Sequence, residues 1–481
     1  MKDFDIGIFI FRRDLRLDDN IGLINLLKNC NKVIPIFILD KYQIIKSDHN
    51  NYYFSNNAVQ FMCESLEDLN DHLKKYSSKL HLFFGTPHLI IDNILKKLKG
   101  NIALSYNKDY SKYSLERDQL ISNTCNKNNV TLIECESDFT LLPFDKLIKK
   151  DGDAFKQYGA FYKNSKKNNP TNSQKNKYTN YKTEKFDNLF TDNLNKFYKN
   201  NPNILSSMKG GRTQALQILT SINQFKKYND NRNFLSYNTT NLSAALNFGC
   251  ISIREAHDAF KKNLDTNNEL IKQLYWRDFF LCIAKYSPLA TDFKHHMDPR
   301  YDNITWKNNK KDWETLWYAK TGFLLIDAAM NQMHTTGYLH GRARMLVGVM
   351  WIKYLLINPY HPKYGSQVGF SKLLIDAIGP SQNKMNHLWV LGILDLGGRR
   401  YAPHGIPLAG RPMDISNKMI KKWDKDCNYI KKWLPSLKDV PNKDLYNWDK
   451  NTAEKYKNIH PPPIFDHKTK YDEWINSCRN L

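Results

Sequence analysis

The apolar spacing of this chain changes period once, and that change decides what the chain can fold into. Up to about residue 140, short apolar runs (DIGIFIF, KVIPIFILD, LHLFFG, NIALSYN, VTLIEC) alternate with amphipathic stretches such as NNAVQFMCESLEDLNDHLKKY and SLERDQLISNTCNK. Continuous apolar strands separated by helices predict a parallel, doubly wound sheet with an α/β architecture. From about residue 206 the spacing is helical almost to the end, and ELIKQLYWRDFFLCIAKY and GFLLIDAAMNQMHTTG read as buried helices. Between the two lies KNSKKNNPTNSQKNKYTNYKTEKF, polar, rich in Asn and Lys and without periodicity, which reads as a long surface linker. At 481 residues the chain exceeds what one core can serve. The expected organisation is therefore an α/β domain over 1–140, a linker over 141–205 and an all-helical domain over 206–481.

Composition narrows the function classes. No apolar run reaches the eighteen or so residues of a membrane span, and MKDFDIGIFIFRRDLRL lacks the layout of a signal peptide. A soluble, intracellular protein of the cytoplasm or nucleus is expected, not a secreted one. The eight cysteines are scattered with no CxxC pair, which argues against a metal site and a disulfide framework. A formal charge of +23 and a pI near 9.4 suit a polyanionic partner, although an AT-rich coding bias also inflates lysine. No GxGxxG follows the first strand, so the α/β part is not a standard dinucleotide-binding half.

The helical half carries the informative motifs: YNDNRNFLSYNTTNLSAALNFGCISIRE (228–255), LYWRDFF (274–280), KTGFLLIDAAM (320–330), YLHGRARM (338–345) and KKWLPSLKDVP (431–441). In the first half stand RRDLRLDDN (12–20) and YNKDYSKYSLERD (106–118). Together, in this order and spacing, these segments resemble the photolyase/cryptochrome family over almost the whole chain. The resemblance implies an α/β antenna domain and an all-helical domain that binds FAD non-covalently for light-driven electron transfer on DNA. It also implies a second antenna chromophore, whose identity the sequence leaves open. UV-damaged DNA is the implied partner, and a monomer without a metal is expected.

Residue by residue, the resemblance assigns FAD contacts to Tyr228, Thr239, Thr240, Asn241, Leu242, Ser243, Gln273, Arg277, Gly341, Arg344, Phe370, Asp376 and Asn383. On its own, TTNLSAAL is a helix start whose hydroxyls and free N–H groups suit a pyrophosphate as well as an ordinary cap. Arg344 and Asp376 match the ion pair beneath the flavin ring. Trp276 and Trp389 match two tryptophans that sandwich a flipped-out pyrimidine dimer, a stack worth roughly 1–3 kcal/mol per base. Arg232, Arg277 and Arg342 are candidates for phosphate contacts.

Several positions depart from the family pattern. Ile378 stands where an acid is usual. Gln382 holds the offset of an Asn that faces the flavin; a one-residue insertion brings Asn383 there and aligns Trp389, and is preferred because it satisfies both features. Gly341 and Met345 take the positions of two histidines found in members that act on (6-4) photoproducts, whose chemistry needs proton transfer. Met345 thus favours cyclobutane dimers. Gln273 replaces a Glu, and can donate a hydrogen bond but supply no proton. Gly341 also removes an amide; losing one preorganised donor can cost on the order of 3 kcal/mol in a transition state. Trp306 matches the outermost member of the family's tryptophan relay. The inner place falls on His387 (or Asn386 without the insertion), and the middle one in the expanded loop NPYHPKYGSQ, where Tyr360 or Tyr364 could substitute. The usual relay is expected to be broken. The alternative to repair is a cryptochrome-like photoreceptor. The short stretch after the flavin motifs favours repair, because signalling members often extend further.

Overall fold

The computed structural model describes residues 2–44, 53–287, 290, 295–297, 299–377, 390–391 and 412–478. Five strands form one parallel sheet in the order β3-β2-β1-β4-β5. They are β1 Phe4–Phe11, β2 Cys30–Asp40, β3 His81–Gly85, β4 Ile102–Asn107 and β5 Thr131–Cys135. The registers Ile8↔Ile34 and Ile8↔Leu104 put the most apolar strand in the centre. β5 lies at the edge, where Thr131 and Glu134 are exposed, as suits a strand with one open side.

The crossover helices are α1 Ile21–Asn29, α2 Asn56–Lys74, α3 Pro87–Leu95 and α4 Lys112–Lys127. Each starts on a local signal in the sequence. Asn20 accepts from Leu23 N, Ser55 from Ala58 N and Ser111 from Ser114 N, while Pro87 opens α3. Beyond the sheet follow α5 Tyr158–Ser165, α6 Arg212–Thr220, α7 Ser243–Asn247, α8 Ile253–Asn263 and α9 Glu269–Tyr286. Next come α10 Lys310–Trp317, α11 Leu324–Thr336, α12 Gly341–Val349, α13 Ser366–Leu373, α14 Asn428–Trp433 and α15 His467–Ser477.

The chain forms two compact units: Met1–Lys226 with Thr240–Thr291, and Lys227–Thr239 with Asp292–Leu481. The stretch read as a linker belongs wholly to the first. Lys182 N donates to Val33 O at 2.7 Å and Val33 N to Asn180 O at 2.9 Å, so this segment runs beside β2. Asn180 Nδ2 reaches the carbonyls of Leu27 and Cys30, and Phe186 joins the apolar cluster of the sheet. A few anchors (Tyr158, Phe161, Tyr181, Phe186, Leu194) are buried at irregular spacing, so periodicity could not reveal them.

In the second unit, α11 and α12 are the centre of the core. Every residue from Leu324 to Met330 is buried. α12 runs into a π-turn over Met350–Tyr354, which is buried throughout. Asp327 knots the unit together: it accepts from Thr321 N, Thr321 Oγ1 and Gly322 N, and pairs with His460 Nε2 at 2.8 Å. Among the described residues no helix is long and apolar enough to cross a membrane.

Candidate functional site

α12 organises the site residues of the second unit. His340 caps it, Nδ1 accepting from Arg342 N at 3.1 Å. Burial, then Arg342 and Arg344, push the His340 imidazole down to about 4, so it is neutral at physiological pH. Arg344 reaches back across the helix start. Its Nε donates to Leu339 O at 2.8 Å and its Nη2 to both Asp376 oxygens at 2.9 and 2.7 Å. The Asp376 side chain is only 4% exposed, so this is a desolvated, charge-assisted pair. Nearby in sequence, the Tyr338 hydroxyl lies 3.0 Å from Thr239 Oγ1.

Arg342 is held differently. Nε donates to Asn233 Oδ1 at 2.9 Å, Nη1 to Met345 Sδ at 3.4 Å, and the guanidinium lies 5.5 Å from the Trp423 ring. Burial and the adjacent Arg232 both lower it from the ordinary guanidinium range. Gly341 is exposed at the start of α12, and a Cβ there would meet nothing within 4 Å. Phe370, on α13, is fully buried with its ring 5.9 Å from that of Trp351. Trp306 stacks on His296 at 5.7 Å and packs against Trp474 at 6.3 Å.

Thr240, Asn241, Leu242, Ser243, Gln273, Trp276 and Arg277 lie in the first unit. The turn before α7 differs from the expected cap: Leu242 is the N-cap residue and no side chain caps the helix. Asn241 instead takes a left-handed φ of 54° and donates Nδ2 to Ser207 Oγ at 2.9 Å. The capping hydroxyls are therefore not spent on this helix. On α9, Gln273 is exposed. Arg277 is turned inward, donating to the carbonyls of Phe139 and Leu246, and burial pulls it down to about 10. A guanidinium so placed serves the fold of α9 rather than a surface phosphate.

Trp276 is where side-chain packing adds most. Its ring lies face to face with Tyr158, centroids 3.6 Å apart and planes 5° apart, and Phe280 stacks at 5.7 Å. The Tyr158 hydroxyl is anchored on Lys272 O at 2.9 Å. Tyr158 sits in the stretch read as linker, and no sequence signal tied it to α9. Asn383 and Trp389, with Ile378, Gln382, Asn386 and His387, lie outside the described residues. Among the described residues no group of three or more His, Cys, Asp or Glu is arranged to hold a metal, and the eight cysteines are free thiols.

Comparison with known proteins bears directly on this arrangement. Residues 270–480 match the family model for the FAD-binding domain of DNA photolyase, and residues 8–177 match that for DNA photolyase. A crystal structure of an archaeal photolyase from Sulfolobus tokodaii, solved with two FAD molecules, superposes with a TM-score of 0.83. It is 31% identical and covers 99% of this chain and 100% of that one. The chain is 25% identical to the deoxyribodipyrimidine photo-lyase of Synechococcus sp., over 97% of its own length and 95% of the relative's. It is 27% identical to cryptochrome-2 of Gallus gallus, over 92% of its own length and 77% of the relative's. The chain belongs to the photolyase/cryptochrome family and carries that family's FAD-binding domain.

Proposed function

We propose that this protein is a light-driven DNA repair flavoenzyme that splits cyclobutane pyrimidine dimers, a carbon–carbon lyase. The observation that carries the reading is Arg342 held against Met345 at 3.4 Å, where (6-4)-type chemistry would need a histidine at the position of Met345. The residues present suit FAD. Arg344, fixed by Asp376, offers a held cation; Tyr228, Thr239 and Tyr338 offer hydroxyls; Gly341 leaves open room at the start of α12. Held by these residues, FAD would supply light-driven one-electron chemistry.

The chain's own residues do the rest. Arg344 holds positive charge where negative charge develops, and Asp376 keeps its guanidinium from turning away. Arg232 and Arg342 take the phosphates that flank an extruded pyrimidine dimer. Within the first unit, Trp276 offers a base the part of its ring not covered by Tyr158. Gln273 donates a hydrogen bond to a base carbonyl, and no proton moves from it. His340, neutral, holds the start of α12 without adding charge.

The reading extends to a second chromophore in the α/β unit. Tyr42, Tyr53 and Tyr113 cluster there, with Tyr42 and Tyr113 stacked at 5.2 Å. Arg13 and Arg117 each carry a buried Nη2 with no hydrogen-bond partner among the described residues, which suits an anionic ligand. The test is a flavin spectrum of the purified protein, then illumination with oligonucleotides carrying one lesion type each. Restoration of cyclobutane-dimer DNA alone supports the proposal. Flavin photochemistry with neither lesion repaired would instead favour a photoreceptor.

A further inference from the structure

A row of aromatic rings runs outward from Phe370 within the second unit. The fully buried Trp351 ring is 5.9 Å from Phe370, and Trp317 is 6.3 Å from Trp351. Trp313 stacks on Trp317 at 5.3 Å, and Tyr364 lies 5.3 Å from Trp313. Trp317, Trp313 and Tyr364 are each partly exposed, so the row climbs from core to surface. By contrast, the described aromatic contacts of Trp306 run to His296 and Trp474, not to Phe370.

We infer that Trp351, Trp317 and Trp313 form the electron relay by which this chain photoreduces its flavin, in place of a route through Trp306. The inference rests on the reading that FAD is bound beside Phe370. Trp351 gives one electron to the light-excited, oxidised flavin. Trp317 refills Trp351, and Trp313 refills Trp317. The oxidised indole of Trp313 then loses its N–H proton to water, and a soluble thiol reductant returns an electron and a proton to it. For each electron the flavin gains, one thiol is oxidised towards disulfide.

The surroundings suit a travelling positive charge. Trp351 Nε1 donates to Tyr364 O at 2.7 Å, so the inner indole is hydrogen-bonded when its N–H becomes more acidic. His334 meets the Trp317 ring edge-on at 4.6 Å, and its Nε2 lies 3.0 Å from Trp317 O. Burial lowers the His334 pKa and so favours its neutral form beside the Trp317 ring. Gly369 keeps the approach to Phe370 close, since a Cβ there would fall 2.3 Å from Trp351 Cη2.

The test compares Trp351→Phe, Trp317→Phe, Trp313→Phe and Trp306→Phe as FAD-loaded proteins. FAD content and melting temperature are measured first. Blue-light reduction with thiol present is then followed together with transient absorption of tryptophan radicals. Loss of fast photoreduction and of the radical signal in the Trp351 and Trp317 variants, with Trp306→Phe at the parent rate, is the expected result. Repair by chemically pre-reduced protein should be untouched in all four. Trp317, only partly buried, serves if Trp351→Phe does not fold. FAD-loaded Trp317→Phe that photoreduces at the parent rate, or Trp306→Phe that loses it, overturns the relay alone. Protein that binds no FAD overturns both the relay and the reading beneath it.

Discussion

Replacing Asp376 by Asn leaves the Arg344 guanidinium in place and removes the charge it faces. Breaking a buried ion pair from one side costs about 3–5 kcal/mol, because the surviving charge stays desolvated. Here the Arg344 side chain is 17% exposed against 4% for Asp376, and Arg344 keeps its bond to Leu339 O. Asn can still accept one hydrogen bond. The lower end of the range, about 3 kcal/mol, is therefore expected. At about 2–4 °C per kcal/mol for a unit of this size, the flavin-free melting temperature should fall by about 6–12 °C. Calorimetry on flavin-free parent, Asp376→Asn, Arg344→Met and the double variant closes a thermodynamic cycle. The double variant should recover part of the loss, since no lone charge remains buried. Adding FAD separates architecture from cofactor binding: a role at the flavin predicts a smaller FAD-induced rise in the variant than in the parent. A drop of under about 2 °C would refute the desolvation argument, and equal FAD-induced rises would refute the role at the flavin.

The other expectations are narrower. Burial pushes the Asp278 carboxyl up to about 7 from an ordinary value near 3.8, so the cost it imposes on the fold is absent below the ordinary value, builds as pH rises from there to about 7 and is constant above. Asp278→Asn should therefore stabilise relative to the parent at about pH 8 and gain nothing at about pH 4; an equal difference at both, measured by denaturation, contradicts this. Gly341→Asn enters open space at the first turn of α12 and should leave the melting temperature unchanged or slightly higher. With one more donor it should also speed dimer repair, and a fall in single-turnover rate would count against the assigned position. Tyr158→Ala removes a buried ring stacked on Trp276 and should cost about 3 kcal/mol, with a red shift of tryptophan fluorescence. Tyr158→Phe, which keeps the stack and loses the bond to Lys272 O, should cost about 1 kcal/mol.

All five strands were legible because each is a continuous apolar run, and each run lies within a residue or two of its observed bounds. The parallel order followed from the helices between them. Side-chain neighbourhoods were not legible in the same way. Arg277 looked like a surface cation beside Trp276, yet its guanidinium is drawn inward by two carbonyls, of which only the fold knows the position. Thr239 to Ser243 looked like a cap, but α7 is a five-residue helix with Leu242 at its N-cap position and no side-chain cap. The Asn- and Lys-rich stretch looked unstructured because its hydrogen bonds run through backbone and amide groups, which carry no hydrophobic period. The Tyr158–Trp276 stack joins residues more than a hundred apart and leaves no trace in either local pattern.

The departures from the family pattern gain coherence when followed through the loop before α13. NPYHPKYGSQ was the place where a relay residue had gone missing, and two of its tyrosines were the only candidates to replace it. The fold gives this loop another part. The carbonyl of Tyr364 takes the N–H of Trp351 at 2.7 Å, and its ring packs on Trp313. Gly369, a turn into α13, leaves the space into which the Trp351 ring projects towards Phe370. The same stretch that lacks the expected tryptophan therefore braces an indole row at its inner and outer ends. A bulky buried Trp on a π-turn, a helix thinned to glycine against it and a carbonyl aimed at its nitrogen are mutually dependent. Selection for packing alone would be met more simply by an aliphatic side chain there, which needs neither the glycine nor the acceptor.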